Sequence, residues 1–226
     1  RSSKLAYVIP TSGSTGVPKL VSIAHGSASS LLLEWARCSG STPASRTVFS
    51  ANASFDISVV LIFCPLLSGG SIVIPTDVRD IPAIAELMAK FQVTHAFFVP
   101  TALSSIPSSF TGRWPLQHVI VGGEALTLET LRRSSSFVSR CASVVNAYGP
   151  AEATIISTYH PLPRGPRGDD DEDEDEDSAS SSQSVPIGRA LRTHSAYVLD
   201  DAGKGPVPVG FPGELFIGGR CLAREY

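Results

Sequence analysis

Apolar runs of strand length alternate at least four times with longer segments of helical period between Leu5 and Ala147. A chain patterned this way buries its strands on both faces and returns through helices, which defines an α/β domain built on a mainly parallel sheet with flanking helices. Leu5–Ile9 reads as a buried strand. It leads into the Ser/Thr/Gly/Pro loop Thr11–Lys19, a resumed apolar run Leu20–Ile23 and a predicted helix Gly26–Arg37. Ser71–Ile74 is a predicted strand. In the segment that follows, Ile81, Ile84, Ala85, Met88 and Phe91 share one helical face, and Asp80 stands where an N-cap belongs. Strands His95–Val99, His118–Val121 and Ser143–Ala147, with a helix Leu128–Val138 behind the cap Thr127, continue the alternation. Past residue 186 the pattern changes. Ala196–Leu199 and Glu214–Gly218 are short strands around a Gly/Pro-rich turn, the start of a small β subdomain.

Residues 161–186 interrupt this order with Pro, Gly and Arg, an acidic run Asp169–Asp177 and a Ser-rich stretch. Such a segment cannot bury enough apolar area to offset its ordering entropy, so it reads as a disordered surface insertion between an α/β core (1–160) and the β subdomain (187–226). The 18 Lys and Arg face 21 Asp and Glu, but nine of those acids lie in the insertion. Without the run Asp169–Asp177 the chain carries a net charge of +6, which suits a polyanionic small ligand. No basic run interleaved with aromatic residues points to nucleic acid. The most apolar stretch, Val59–Leu67, is too short to span a bilayer, and no leader pattern precedes the first strand. Cys38, Cys64, Cys141 and Cys221 are widely separated and form no Cys-x-x-Cys pair, so a soluble protein of a reducing, cytoplasmic compartment is expected. The chain begins at Arg1 in the approach to an apolar run and holds one methionine, Met88, so it reads as a piece of something longer.

The loop Thr11-Ser12-Gly13-Ser14-Thr15-Gly16-Val17-Pro18-Lys19 follows a strand and combines hydroxyls, glycines and one cation. Those are the parts a phosphate site needs: glycine lets the backbone approach an anion, successive N–H groups cradle it, and lysine neutralises charge. The spacing is not that of a Walker loop, because Gly13 and Gly16 are too close and no hydroxyl follows Lys19. Composition by itself leaves a plain linker open as the alternative.

Three further segments accompany this loop. They are Phe55-Asp56-Ile57-Ser58, then Asn146-Ala147-Tyr148-Gly149-Pro150-Ala151-Glu152, then Gly213-Glu214-Leu215-Phe216-Ile217-Gly218-Gly219 with Leu222-Ala223-Arg224. In order and spacing the four segments resemble the motifs of adenylation domains of nonribosomal peptide synthetases, members of the AMP-forming acyl and aminoacyl ligase superfamily. The resemblance extends from about Leu5 to Tyr226 apart from the insertion. It implies ATP-dependent activation of an amino acid as an aminoacyl adenylate, with passage of the acyl group to the phosphopantetheine thiol of a separate carrier domain. It implies that Thr11, Ser12, Gly13, Ser14, Thr15, Gly16 and Lys19 hold phosphates, with Lys19, Thr15 and Glu152 as catalytic groups. Glu152 would also bind Mg²⁺, which takes few carboxylates besides phosphate oxygens. Asn146, Tyr148 and Gly149 would contact the adenine from one side and Gly122-Gly123-Glu124 from the other. Asp56 would pair with the substrate ammonium, and its alternative is a helix cap ahead of Ile57. The side-chain pocket would be lined by Ile57, Val60, Thr101, Val119, Val121, Ala147, Ile155 and Ile156, with no charge apart from Asp56. Carrier and neighbouring synthetase domains are the implied partners.

Several positions depart from the family pattern. Val17 and Leu20 stand where the loop usually has lysine and glycine, Pro10 replaces a tyrosine, and Cys221 and Glu225 replace glycines. Ala151 replaces a threonine whose hydroxyl contacts the nucleotide phosphate; losing such a bond costs about 1.5–3 kcal/mol. The chain also stops before the family's ribose-binding aspartate and its C-terminal subdomain with the catalytic lysine, so these residues are expected to form an incomplete enzyme. Activation of a non-amino carboxylic acid and a degenerate non-catalytic module are the alternatives.

Overall fold

The computed structural model describes residues 2–11, 18–107, 116–163, 183–200 and 205–224. Its centre is a seven-stranded sheet in the order β4-β3-β5-β6-β7-β8-β9. The strands are β3 (Arg46–Val48), β4 (Ser71–Val73), β5 (His95–Phe98), β6 (His118–Gly122), β7 (Val144–Tyr148), β8 (Thr158–Pro161) and β9 (Arg189–Ala190). The first five in that spatial order are parallel, and β8 and β9 join antiparallel at the edge. β5 and β6 are buried along their whole length, because helices cover both faces.

One face packs against α3 (Ile81–Lys90), α4 (Pro100–Ser104), α5 (Leu128–Arg133) and α6 (Ser135–Val138) through Ile84, Met88, Leu103 and Phe137. The other carries α1 (His25–Cys38) and α2 (Ile57–Leu67), whose Leu31, Trp35, Val60 and Leu61 meet Phe97, Ile120 and Val145. Local signals explain several boundaries. Asp80 accepts the Ala83 N–H at 3.0 Å and starts α3, while Thr127 accepts the Thr130 N–H at 3.2 Å and starts α5. The predicted helix over 128–138 is divided at Ser134, whose hydroxyl donates to the Thr130 carbonyl at 2.8 Å. α1 has no side-chain cap; the carbonyls of Lys4 and Ser2 accept the N–H groups of His25 and Gly26, each at 2.8 Å.

Two small antiparallel sheets lie outside the main one: β1 (Leu5–Thr11) with β2 (Lys19–Ala24), and β10 (His194–Leu199) with β11 (Glu214–Gly219). The predicted strand Leu5–Ile9 exists but is not buried. Among the described residues it pairs only with β2, and Leu5 and Val8 are 47% and 41% exposed. An apolar run fits a hairpin with one covered face as well as a central strand, and length cannot separate the two. The insertion is narrower than expected. Pro161 closes β8, Ser184 bridges to Thr127, and Val185 is buried in the main core, so the two ends of 161–186 belong to the folded body. The acidic run itself lies outside the described residues. The four cysteines are unpaired, and no described helix is long and apolar enough to cross a membrane.

Candidate active site

A cleft of about 680 Å³ opens above the carboxyl ends of β5, β6 and β7, the place where open parallel sheets hold ligands. Its floor is Phe97, Ile120 and Ala147, one residue from each strand on the same face. Asn52, Phe55, Asp56 and Ile57, leading into α2, form one wall, Thr101 and Ala102 of α4 form another, and Ile155 and Ile156 close the third.

Asp56, Ile57, Thr101, Ala147, Ile155 and Ile156 are therefore brought together as the sequence predicted, and Val60, Val119 and Val121 are not. Val119 and Val121 lie in the core on the opposite face, packed with the α3 side of the sheet. Side chains alternate along a strand, so the neighbour Ile120 takes the cleft position and a one-residue shift turns every side chain over. Val60, one turn beyond Ile57, faces a small cavity between Trp35, Cys64 and His118 deeper under α2. Phe97 and Ile120 were missed. Alternation counted back from Ala147 through the paired strands points to them, but the register of that pairing is a three-dimensional fact.

Asp56 occupies the N-cap position of α2, yet its side chain makes no capping hydrogen bond. Burial pushes its carboxyl above the ordinary aspartate range and the Glu152 carboxylate adds to that, while the backbone N–H groups of Ile57 and Asp56 pull the other way. A half-buried carboxylate facing a cleft suits a cationic ligand group, which would relieve both costs. The expectation of no charge besides Asp56 is corrected, because two more charged side chains reach the lining. Arg79 pairs there with Asp77 at 3.0 Å, both well exposed. Glu124 accepts from the Thr101 N–H at 3.1 Å and its hydroxyl at 3.0 Å, so this carboxylate caps the start of α4.

Gly122, Gly123 and Gly149 line the cleft as predicted for contacts with a nucleotide. A Cβ on Gly149 would stand 2.5 Å from the Ile155 carbonyl oxygen, and one on Gly122 would stand 2.5 Å from that of Ala147. Asn146 is on the other face. Its side-chain amide donates to the Pro186 carbonyl at 2.9 Å and the Val185 carbonyl at 3.3 Å, which ties the chain after the acidic run to β7. Its predicted nucleotide contact is thus corrected to a structural one, again by strand alternation. Tyr148, 40% exposed at the end of β7, shares that parity with Asn146.

Glu152 sits in the 3₁₀ turn Ala151–Ala153, half-buried and within electrostatic reach of Asp56. The next residues, Thr154 and Ile155, have φ of 57° and 71°. For β-branched residues this left-handed backbone is strained and persists where surroundings over-determine it; here it aims Ile155 into the cleft, and the Thr154 hydroxyl donates to the Cys221 carbonyl. β2 packs against the same turn. Ala151 of that turn packs with Val21 and Ile23 of β2, and Thr11 pairs with Lys19 at the loop end of the hairpin. Ser12, Gly13, Ser14, Thr15 and Gly16 lie outside the described residues.

A mainly parallel sheet with a carboxylate-bearing cleft above its strand ends defines an α/β protein with a ligand site at the strand termini. The profile of the AMP-binding enzyme family matches residues 1–226, and the chain belongs to that family. It is 36% identical over 225 residues to the malpinin synthetase of Mortierella alpina, covering 98% of this chain and 3% of that protein. It is 34% identical to the phosphinothricin tripeptide synthetase PhsC of Streptomyces viridochromogenes, covering 99% of this chain and 18% of that protein. The fold superposes on the Vibrio cholerae adenylation domain AlmE in complex with glycyl-adenosine-5'-phosphate, with a TM-score of 0.79 and 25% identity over 99% of this chain and 41% of that one. It matches the Klebsiella oxytoca NpsA N-terminal subdomain in complex with 3-hydroxybenzoyl-AMSN with a TM-score of 0.77 and 26% identity, over 99% of this chain and 54% of that one. The chain thus has the sequence and fold of part of an adenylation domain and spans a small fraction of the synthetases it matches.

Proposed function

We propose that the chain forms the substrate- and nucleotide-facing part of a domain that activates an α-amino acid as its adenylate, for loading onto a phosphopantetheine thiol in nonribosomal peptide synthesis. The observation that carries this reading is Asp56. It is an uncapped, half-buried carboxylate at the wall of a cleft whose floor is Phe97, Ile120 and Ala147. An ammonium group paired with it leaves an apolar side chain to fill the rest of the cleft. Ion pairing across such a wall fixes orientation, and orientation is most of what this reaction asks of a protein.

In the reaction the amino acid carboxylate attacks the α-phosphorus of ATP, the bond to the β-phosphate bridging oxygen breaks, and pyrophosphate leaves. Thr11 and Lys19 frame the loop that would receive the β- and γ-phosphates, and the Lys19 ammonium offsets their charge. Glu152 supplies a hard carboxylate oxygen, the donor type Mg²⁺ prefers alongside phosphates, and that ion would neutralise charge on the leaving group. Gly122, Gly123 and Gly149, having no Cβ, let a flat base approach the strand ends.

The test is amino-acid-dependent ATP–pyrophosphate exchange by the full-length protein against a panel of amino acids and simple carboxylic acids. Exchange with one hydrophobic amino acid, abolished in Lys19→Ala and Glu152→Ala, is the expected result. Exchange only with acids lacking an α-ammonium would move the reading to the second one, which the 3-hydroxybenzoyl-AMSN bound by NpsA favours. Silence from a folded protein would favour a degenerate module, for which Ala151 is the motif.

A further inference from the structure

Glu152, Ala153 and Thr154 follow one another in the turn after β7, and each is bonded to the part of the chain that carries β10 and β11. The Ala223 N–H donates to the Glu152 carbonyl at 2.6 Å, His194 Nε2 meets the Ala153 carbonyl at 2.8 Å, and the Thr154 hydroxyl donates to the Cys221 carbonyl. A carbonyl only accepts, so His194 Nε2 carries a proton, and Nδ1 of the neutral ring accepts from the Thr193 hydroxyl at 3.0 Å. His194, Ala153, Thr154 and Cys221 are all buried. Their partners are fixed in turn by α1. Glu34 accepts from the N–H groups of Arg192 and Thr193, just ahead of His194, and the Ser27 hydroxyl lies 3.3 and 3.2 Å from the carbonyls of Arg220 and Leu222, on either side of Cys221.

These bonds fall where the backbone is least able to hold itself. Thr154 and Ile155 are β-branched residues in the left-handed region, a conformation that persists only where the surroundings over-determine it. Ile155 and Ile156 form one wall of the cleft, whereas His194 and Thr154 do not line it. Beyond them the Ser157 N–H donates to the Tyr148 carbonyl at 2.8 Å, so the strained pair is stretched between a fixed strand and the bonds at Ala153 and Thr154. We propose that His194 and Thr154 are positioning residues for Ile155, their hydrogen bonds to the Ala153 and Cys221 carbonyls holding its side chain in the cleft wall and so setting which substrate side chain fits. This deepens the reading of the cleft as the site of the substrate side chain and rests on it. Glu152 keeps its own bond to the Ala223 N–H when either side chain is lost, so the nucleotide side of the turn is held separately.

His194→Phe keeps a flat ring and removes the donor, Thr154→Val keeps the shape and removes the hydroxyl, and His194→Gln restores an N–H donor of similar reach. The first measurement is amide hydrogen–deuterium exchange of the full-length protein, read by mass spectrometry. Peptides covering residues 150–157 are expected to exchange about tenfold faster in His194→Phe and in Thr154→Val, while peptides covering 52–60 on the facing wall keep the wild-type rate. An unchanged rate at 150–157, or an equal rise on both walls, overturns the proposal. The second measurement is ATP–pyrophosphate exchange kinetics. The preference for the favoured amino acid over one a methylene larger or smaller is expected to fall about tenfold in both variants, with KM for ATP within about twofold of wild type and with His194→Gln close to wild type throughout. Equal losses for ATP and the amino acid, or a His194→Gln protein as altered as His194→Phe, also overturn it. If one variant fails to fold the other carries both measurements, since they remove different bonds from the same turn; loss of the fold in both makes the bonds purely structural and overturns the proposal. If the wild type exchanges only acids without an α-ammonium, large and small acids give the same comparison, and a changed preference among them leaves the positioning role standing while the amino acid reading fails. If it exchanges neither class, the amide rates at 150–157 against 52–60 decide.

Discussion

His118 opens β6 beneath α1 and α2, 5% exposed, with its Nε2 buried and unpartnered among the described residues. Trp35 meets its ring edge-on at 5.8 Å between centroids, and His95 lies at 6.1 Å. Burial, and then the proximity of His95, pushes the imidazole from 6.5 down to about 4. The unfolded chain binds a proton here below about pH 6.5 and the folded chain does not until about pH 4, so folding excludes that proton across the whole window. Stability therefore rises with pH through it. Each pH unit is worth about 1.4 kcal/mol, which makes the penalty about 3 kcal/mol by pH 4. His95, whose Nε2 bonds the Ser39 carbonyl at 3.0 Å and whose Nδ1 meets Thr94 at 2.8 Å, is also lowered, chiefly by burial, and so is His194. Both add in the same direction. Asp56 acts oppositely, since a raised carboxyl pKa makes the folded state the better proton binder and its contribution falls as pH rises past 3.8.

The perturbation is His118→Phe, which preserves a flat ring against Trp35 and removes the titrating nitrogen. Urea unfolding followed by tryptophan fluorescence at pH 7, 6 and 5 measures the slope. The wild type is expected to lose about 1.4 kcal/mol per unit from this group alone below pH 6.5, and the variant to lose that much less between pH 6 and 5. At pH 7 the variant is expected to match or exceed wild type, because an apolar ring replaces a desolvated nitrogen without a partner. Parallel pH curves for the two proteins would refute the reasoning, as they would mean that His118 is solvated or already paired in the folded state.

Glu34 on α1 is 4% exposed and accepts from the Arg192 N–H at 2.5 Å and the Thr193 N–H at 2.8 Å. Glu34→Ala leaves two backbone donors stranded where the β10–β11 sheet joins the core, and chemical denaturation is expected to show a loss of about 3 kcal/mol. Gly149→Ala forces a Cβ against the backbone of Ile155 and Ser157; the expected cost is about 1–3 kcal/mol with loss of exchange activity, and full activity in that variant would contradict the close approach. Ile120→Ala and Val121→Ala should separate cleanly. Both are expected to cost about 2–4 kcal/mol by denaturation, but only the first changes which amino acid is exchanged, whereas the second leaves substrate preference alone.

What the sequence could convey divides along the range of the interactions concerned. Caps and periodicity are local, so Asp80, Thr127, the α3 face and the central strands were all legible, as were the motifs that carry Asp56 and Glu152 in short contiguous words. Face assignment is not local. It depends on which neighbouring strand a residue opposes, and the motif words set Ala147 in the cleft while leaving Asn146 to be carried along with it; the amide then proved to hold Pro186, 40 positions later. The same argument removed Val119 and Val121 from the cleft and put Ile120 there. The Nε2 of His118 shows the limit from the other side, buried and without a partner among the described residues. An unsatisfied polar atom is invisible in composition and periodicity alike, since it is a statement about what surrounds a side chain rather than what it is. Function in this fold is therefore read from the strand ends, where the cleft residues converge.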